Sequence, residues 1–181
     1  MINYHLIHES IGYYQQKGFT RIETPWTVSK QIDDITRPKD RIPFELKHND
    51  KRLVASGEQS FLYLYLKEFL PKGKYQTITP CFRNESFDFT HSKYFIKNEL
   101  IQTDIVSTSE LNKVVDICYT FFNKQIPDLK IVKTDEGFDI MKNEYELGSY
   151  GIRECEYLKW IYATGCAEPR LSRIINLYGI S

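Results

Sequence analysis

Tyr75-Gln76-Thr77-Ile78-Thr79-Pro80-Cys81-Phe82-Arg83-Asn84-Glu85-Ser86, a short polar-aromatic loop from Phe87 to His91, then Ser92-Lys93-Tyr94-Phe95-Ile96-Lys97-Asn98-Glu99-Leu100-Ile101-Gln102-Thr103-Asp104 is the stretch on which the fold turns. Both arms are rich in β-branched and aromatic residues, so the pattern predicts two antiparallel strands. Side chains alternate faces along a strand. Ile78, Pro80 and Phe82 therefore share one face with Tyr94, Ile96 and Leu100, while Thr77, Thr79, Cys81, Arg83 and Glu85 share the other with His91, Lys93, Phe95, Lys97 and Glu99.

One face of this hairpin is apolar and the other carries cations, carboxylates and a single ring. Such a face can be the solvated side of an ordinary sheet. It also suits a nucleotide: Phe95 offers a stacking surface for a base, Arg83 a guanidinium for a phosphate, and Glu85 an acceptor for an exocyclic amine. Phe82-Arg83-Asn84-Glu85 with His91, Phe95 and Glu99 beyond the loop resembles motif 2 of the class II aminoacyl-tRNA synthetases, most of all the subgroup that activates aspartate, asparagine and lysine. The resemblance implies that Arg83 holds the ATP α-phosphate and the amino-acid carboxylate, and that Glu85 accepts from the adenine amine. It places His91 near the outer phosphates, Phe95 against adenine, and Glu99 toward the amino acid.

The chain has 181 residues, 41% of them hydrophobic, which is enough for one core and too little for two comfortable domains; residues 1–181 read as a single domain. Lys and Arg balance Asp and Glu at 24 each, so no global basic field draws nucleic acid. Cys81, Cys118, Cys155 and Cys166 have no C-x-x-C spacing, and they read as reduced thiols of a cytoplasmic protein rather than a zinc site or a disulfide frame. No signal peptide is read in residues 1–20, and no stretch approaches membrane-spanning length.

Upstream of the hairpin, Leu6, Ile7, Ile11 and Tyr14 predict an amphipathic helix over residues 3–17, ended by Gly18, with a strand from Phe19 to Thr24 before Pro25. This unit resembles motif 1, which implies a homodimer built through residues 3–26. Residues 28–52 are polar, contain seven Lys and Arg and are broken by Pro38 and Pro43, so they read as a loop region. Leu53 to Gln59 reads as a short strand entering a turn, followed by a helix from Ser60 to Leu70. The Ser56-Gly57-Glu58-Gln59 turn resembles the loop that grips the substrate α-amino group, through Glu58 or Gln59; a helix-capping role for Ser56 or Glu58 is the alternative.

Downstream, Ser107 to Glu110 forms a capping box, and Leu111, Val114, Val115, Cys118, Phe121 and Phe122 follow at helical spacing. Asp128–Thr134 and Gly137–Met141 read as strands. A two-residue loop at Lys142-Asn143 would set Asp139 directly across from Glu146, a repulsive pair that a divalent cation would relieve. The resemblance likewise implies that Asp139 and Glu146 hold Mg²⁺. The strand from Glu146 would bring backbone close to a ligand at Gly148 and Gly151, and Arg153 would read an acidic or amide side chain. This segment also resembles ammonia-dependent asparagine synthetase. Glu154 to Thr164 reads as a helix ended by Gly165. The terminal Ala167-Glu168-Pro169-Arg170-Leu171-Ser172-Arg173-Ile174-Ile175 resembles motif 3, with Arg173 the better match for a γ-phosphate ligand and Arg170 the alternative, although the usual glycine-rich turn is replaced by Glu168-Pro169-Arg170.

The resemblance spans about Tyr4 to Tyr178 in family order. It implies an α+β fold, an antiparallel sheet flanked by helices, and activation of an amino acid, aspartate or asparagine, by ATP and Mg²⁺ as an aminoacyl adenylate, with Arg83 and Arg173 catalytic. No anticodon-binding domain is read, so ordinary tRNA charging by this chain alone is not expected, and the aminoacyl group passes to an RNA or another acceptor. Ammonia-dependent amidation and a non-catalytic paralogue binding amino acid or nucleotide are the alternatives.

Overall fold

The computed structural model describes residues 1–86 and 88–179; of the expected Phe87–His91 loop, Phe87 lies outside the described residues. In chain order the elements are α1 (Tyr4–Gln16), β1 (Thr20–Arg21), β2 (Thr27–Ser29), α2 (Lys30–Asp33), β3 (Lys51–Leu53), α3 (Gly57–Leu66), β4 (Lys74–Phe82), β5 (Tyr94–Gln102), α4 (Thr108–Asn123), β6 (Lys130–Lys133), β7 (Gly137–Lys142), β8 (Tyr145–Cys155), β9 (Leu158–Glu168) and α5 (Arg170–Tyr178). Seven strands form one sheet in the order β1-β4-β5-β9-β8-β7-β6, all neighbours antiparallel except β1 with β4. This is the expected α+β architecture.

Alternation sorts the core into two layers. Leu100 and Ile161 face α1, α4 and α5, joining Leu6, Tyr14, Val114, Cys118, Phe122 and Ile174. Ile101, Trp160 and Tyr162 face the other way, onto Phe61 and Leu62 of α3. Asn3 begins α1 by accepting from the backbone N–H groups of His5 and Leu6, and Ser107 begins α4 by accepting from that of Glu110. Cys81↔Phe95, Thr79↔Lys97 and Thr77↔Glu99 are cross-strand pairs, so the hairpin faces are those expected from the alternation.

Four expectations are corrected. Glu154 to Thr164 is not a helix: Cys155 pairs with Leu158 around a tight turn, and β9 runs straight through Gly165. β9 lies between β5 and β8 and is buried on both faces, so its apolar residues run on without the alternation that marks a half-buried strand. Residues 28–52 are not only loop, since β2 and β3 pair as a small second sheet beside α2. The strand expected over Phe19–Thr24 is reduced to two residues on the sheet edge. The hairpin loop between β7 and β8 is Asn143-Glu144 rather than Lys142-Asn143, because Asn143 takes the left-handed φ of +53°, which a two-residue loop requires and asparagine tolerates well. Lys142 then pairs with Tyr145, a bulge follows, and Asp139 lies opposite Ser149 instead of Glu146.

Glu168 closes the fold at its last corner. It is fully buried; its carboxylate accepts from the backbone N–H of Asn3 at 2.8 Å, from that of Ser172 at 2.8 Å and from the Ser172 hydroxyl at 2.9 Å. Because Pro169 has no capping side chain, this carboxylate caps α5 and ties it to the start of α1. Glu168→Ala should lose about 2–3 kcal/mol in urea unfolding through orphaned donors, with Glu168→Gln recovering part of the loss. An unchanged midpoint in the alanine variant would remove this role.

Candidate active site

The polar face of the hairpin forms the floor of a cleft of about 270 Å³, close to the lower end of the roughly 300–1,000 Å³ of small-molecule sites. At one end lie Arg83, Glu85 and Phe95, as the alternation required. The Arg83 guanidinium sits 5.0 Å from the Phe95 ring centroid, and its Nε donates to the Ala55 carbonyl at 3.2 Å. That bond fixes the stem, and the stacking holds the cation against an aromatic face. Glu85 faces Arg41 Nη1 at 3.5 Å across the cleft. His91 lies beside a shallow side slot shared with Arg83, Glu85 and Phe95; it pairs with Asp88 at 2.7 Å, whose carboxyl is held well below its usual range by the N–H groups of His91 and Thr90.

At the other end the floor is charged and buried. Glu99 is almost fully buried; Ser56 Oγ donates a short hydrogen bond to Glu99 Oε2, and Lys97 Nζ stands 2.9 Å from Oε1. Ser56 also begins α3, accepting from the Glu58 backbone N–H, which is the capping role expected of Ser56 or Glu58. Glu58 receives the Trp160 indole N–H at 2.6 Å and Arg153 Nη1 at 2.7 Å. Burial raises the Glu58 carboxyl above its ordinary value, with Arg153 and Trp160 opposing the rise. Arg153 is doubly occupied: Nη2 donates to Glu136 at 2.8 Å, and the guanidinium lies 4.2 Å from the Tyr162 ring centroid.

Gln59 lines the cleft with its side chain already engaged, accepting from Ala55 N–H and donating to the Asp33 carbonyl. At Gly148 the space beside Cα is filled from within: an added Cβ would meet Tyr150 Oη at 2.5 Å and the Thr164 Cβ at 2.9 Å.

The third wall comes from β8 and α5. Arg170, the alternative at the sequence level, lines the cleft and donates to Glu146 at 2.8 Å. Arg173, three residues on, instead donates to the Phe89 carbonyl at 2.8 Å and so holds the hairpin loop; it is not among the residues that line the cleft. Glu146 lines the cleft, and Asp139 stands near enough that its carboxyl is raised, first by burial, then by the charges of Glu146 and Glu136. Among the described residues no three His, Cys, Asp or Glu side chains form a ready metal cage.

Thr36, Arg37, Pro38, Arg41 and Ile42 add a further wall to the cleft, and Arg37 belongs to a buried ion cluster. Asp33 is fully buried and takes a forked pair of bonds from Arg37, at 2.5 and 2.8 Å, with Arg52 at 3.2 Å. Lys97, Trp160, Tyr162, Arg41 and Glu136 were not singled out from the sequence. Lys97 alone carried a signal, standing between Phe95 and Glu99 on the polar face.

No family model matches the chain. The chain is similar to the serine–tRNA ligase of Sulfurisphaera tokodaii, 33% identical over 89 residues that cover 45% of this chain and 19% of that protein. It is also similar to the serine–tRNA ligase of Methanosphaera stadtmanae, 20% identical over 196 aligned positions covering 98% of this chain and 46% of that protein. Among solved structures, pyrrolysyl-tRNA synthetase from Desulfitobacterium hafniense superposes with a TM-score of 0.75 at 18% identity, covering 96% of this chain and 69% of that one. Seryl-tRNA synthetase from Pyrococcus horikoshii, complexed with ATP, superposes at 0.76 and 17% identity, covering 94% and 48%. The chain shares the α+β fold of these two synthetases. These four relatives are seryl and pyrrolysyl enzymes rather than members of the aspartate, asparagine and lysine subgroup that the hairpin motif resembles. The chain spans less than half the length of the two curated relatives. Among the described residues no helix is long and apolar enough to cross a membrane.

Proposed function

We propose that the chain activates an amino acid with ATP as an aminoacyl adenylate. The observation that carries this reading is the convergence of three groups of side chains on one cleft: the Arg83–Phe95 pair with Glu85; Ser56 and Lys97, both bonded to the buried Glu99, together with the Glu58–Arg153 pair; and Arg170 with Glu146. Phe95 would carry the adenine ring, Glu85 would take its amine in exchange for Arg41, and Arg83 would bridge the α-phosphate and the amino-acid carboxylate. The substrate ammonium would face Glu58 and Glu99. The carboxylate oxygen attacks the α-phosphorus and pyrophosphate leaves. The nucleophile is already ionised, so no general base is needed, and the chain contributes alignment and neutralisation of the developing charge through Arg83 and Arg170. Glu146 and Asp139 would hold the magnesium ion, which offsets charge on the phosphates when bound.

The acceptor is proposed to be tRNA or another nucleophile, and the functional unit a homodimer formed through residues 3–26. Of the two substrates named from the sequence, asparagine suits the cleft better, because the Arg153 donors are shared with Glu58 and Glu136 and a second carboxylate would meet both. Amino-acid-dependent ATP–pyrophosphate exchange, screened over the twenty amino acids with Mg²⁺, is expected to respond to one or a few of them. A folded protein giving no exchange and no calorimetric ATP binding would end this reading.

A further inference from the structure

Glu136 stands in the turn between β6 and β7, two-thirds exposed beside the cleft-lining Arg153 and Tyr162, yet its carboxylate is held in a defined place. It accepts from Arg153 Nη2 at 2.8 Å, and the Tyr162 hydroxyl lies 3.4 Å from the same oxygen. The backbone is shaped to bring it there. At Gly151 in β8 an added Cβ would lie 2.5 Å from the Glu136 carbonyl, and at Gly137 it would lie 2.1 Å from the Tyr150 carbonyl. The turn can close onto β8 only because both positions lack a side chain.

The consequence is a cation without spare charge. The Arg153 fork has Glu58 on one nitrogen and Glu136 on the other, and its face is covered by Tyr162. Resting on the adenylation reading, we infer that Glu136 is a specificity-determining residue that makes the side-chain subsite select neutral amino acids able both to accept and to donate hydrogen bonds, an amide or a hydroxyl, against those bearing a carboxylate. A neutral oxygen can accept from Arg153 while its own N–H or O–H donates to Glu136. A substrate carboxylate would have to displace Glu136 or stand beside it, and like charges brought together discriminate strongly.

The test is the ratio of exchange rates, because a merely structural role would lower all substrates alike. Pyrophosphate exchange is measured for the full chain, Glu136→Gln and Glu136→Ala, with serine, asparagine and glutamine against aspartate and glutamate. The acidic-to-neutral ratio should rise about 10-fold or more in both variants, the exposure of Glu136 keeping the effect below that of a fully buried pair. Wild-type protein that prefers aspartate or glutamate overturns the inference while leaving adenylation intact, and so does an unchanged ratio in active variants. Wild-type protein inactive toward every amino acid and blind to ATP overturns the adenylation reading and this inference with it.

Discussion

Arg83→Ala is expected to lower amino-acid-dependent pyrophosphate exchange by about 10²–10³-fold, the usual cost of removing one preorganised donor from a developing negative charge. The fold should survive. Arg83 lies just beyond the end of β4, partly buried on the cleft floor; its backbone N–H donates to the Lys93 carbonyl, and its side chain donates to the Ala55 carbonyl. That carbonyl faces the open cleft, where water can replace the guanidinium. Circular dichroism and the urea midpoint should therefore stay close to wild type while exchange collapses. Arg83→Lys should recover little, since an ammonium neither stacks on Phe95 as a flat guanidinium does nor bridges two oxygens with a fork. Full exchange in the alanine variant would place the reacting phosphate elsewhere.

The second large effect concerns Glu58 and is one of stability. Glu58→Ala should cost about 3–5 kcal/mol, the penalty for breaking a buried ion pair from one side. The Trp160 indole N–H and one end of Arg153 are left facing an emptied site beneath α3. Arg153 keeps Glu136 and some water, so the loss falls short of a wholly stranded charge. Glu58→Gln separates packing from charge: its amide oxygen can accept one of the two donors, and the variant should sit between alanine and wild type in urea unfolding. Equal midpoints for alanine and wild type would mean that Trp160 and Arg153 draw nothing from this carboxylate.

The hairpin was legible because its alternation is uninterrupted from Thr77 to Phe82 and from Phe95 to Glu99, although burial does not separate its faces: Thr77, Thr79, Cys81, Lys97 and Glu99 of the polar face are buried, while Ile78, Pro80 and Phe82 are only partly so. From that alone Arg83, Glu85, Phe95 and Glu99 could be set on one surface. β9 was illegible for the opposite reason. Trp160, Ile161, Tyr162 and Ala163 are all buried, so no polar residue marks every second position, and Gly165 within the strand reads like a helix stop. The partners of Arg153 were hidden by distance along the chain, since Glu58 and Glu136 reach it only once β8 is laid beside β7 and beneath the start of α3. Arg170 and Arg173 differ by less than one helical turn, and spacing could not say which would face Glu146.

The junction of β5 with β9 has a consequence for how the chain folds. β4 with β5, and β6 through β9, are joined by nearest-neighbour hairpins, whereas β5 meets β9 across the long excursion from Leu100 to Ala163. Loop-closure entropy and high contact order fall on that one seam. Arg83, Phe95 and Glu99 belong to the first hairpin, and Glu146, Arg153 and Arg170 to the second half, so neither half possesses a site by itself. On the proposed function, a nucleotide or amino acid bound across the seam would engage only the zipped state and would stabilise the fold by RT ln(1 + [L]/Kd) through mass action. Such a ligand would act as a non-covalent staple between the two hairpin units, and the seam is where hydrogen exchange should slow most when the cleft is filled.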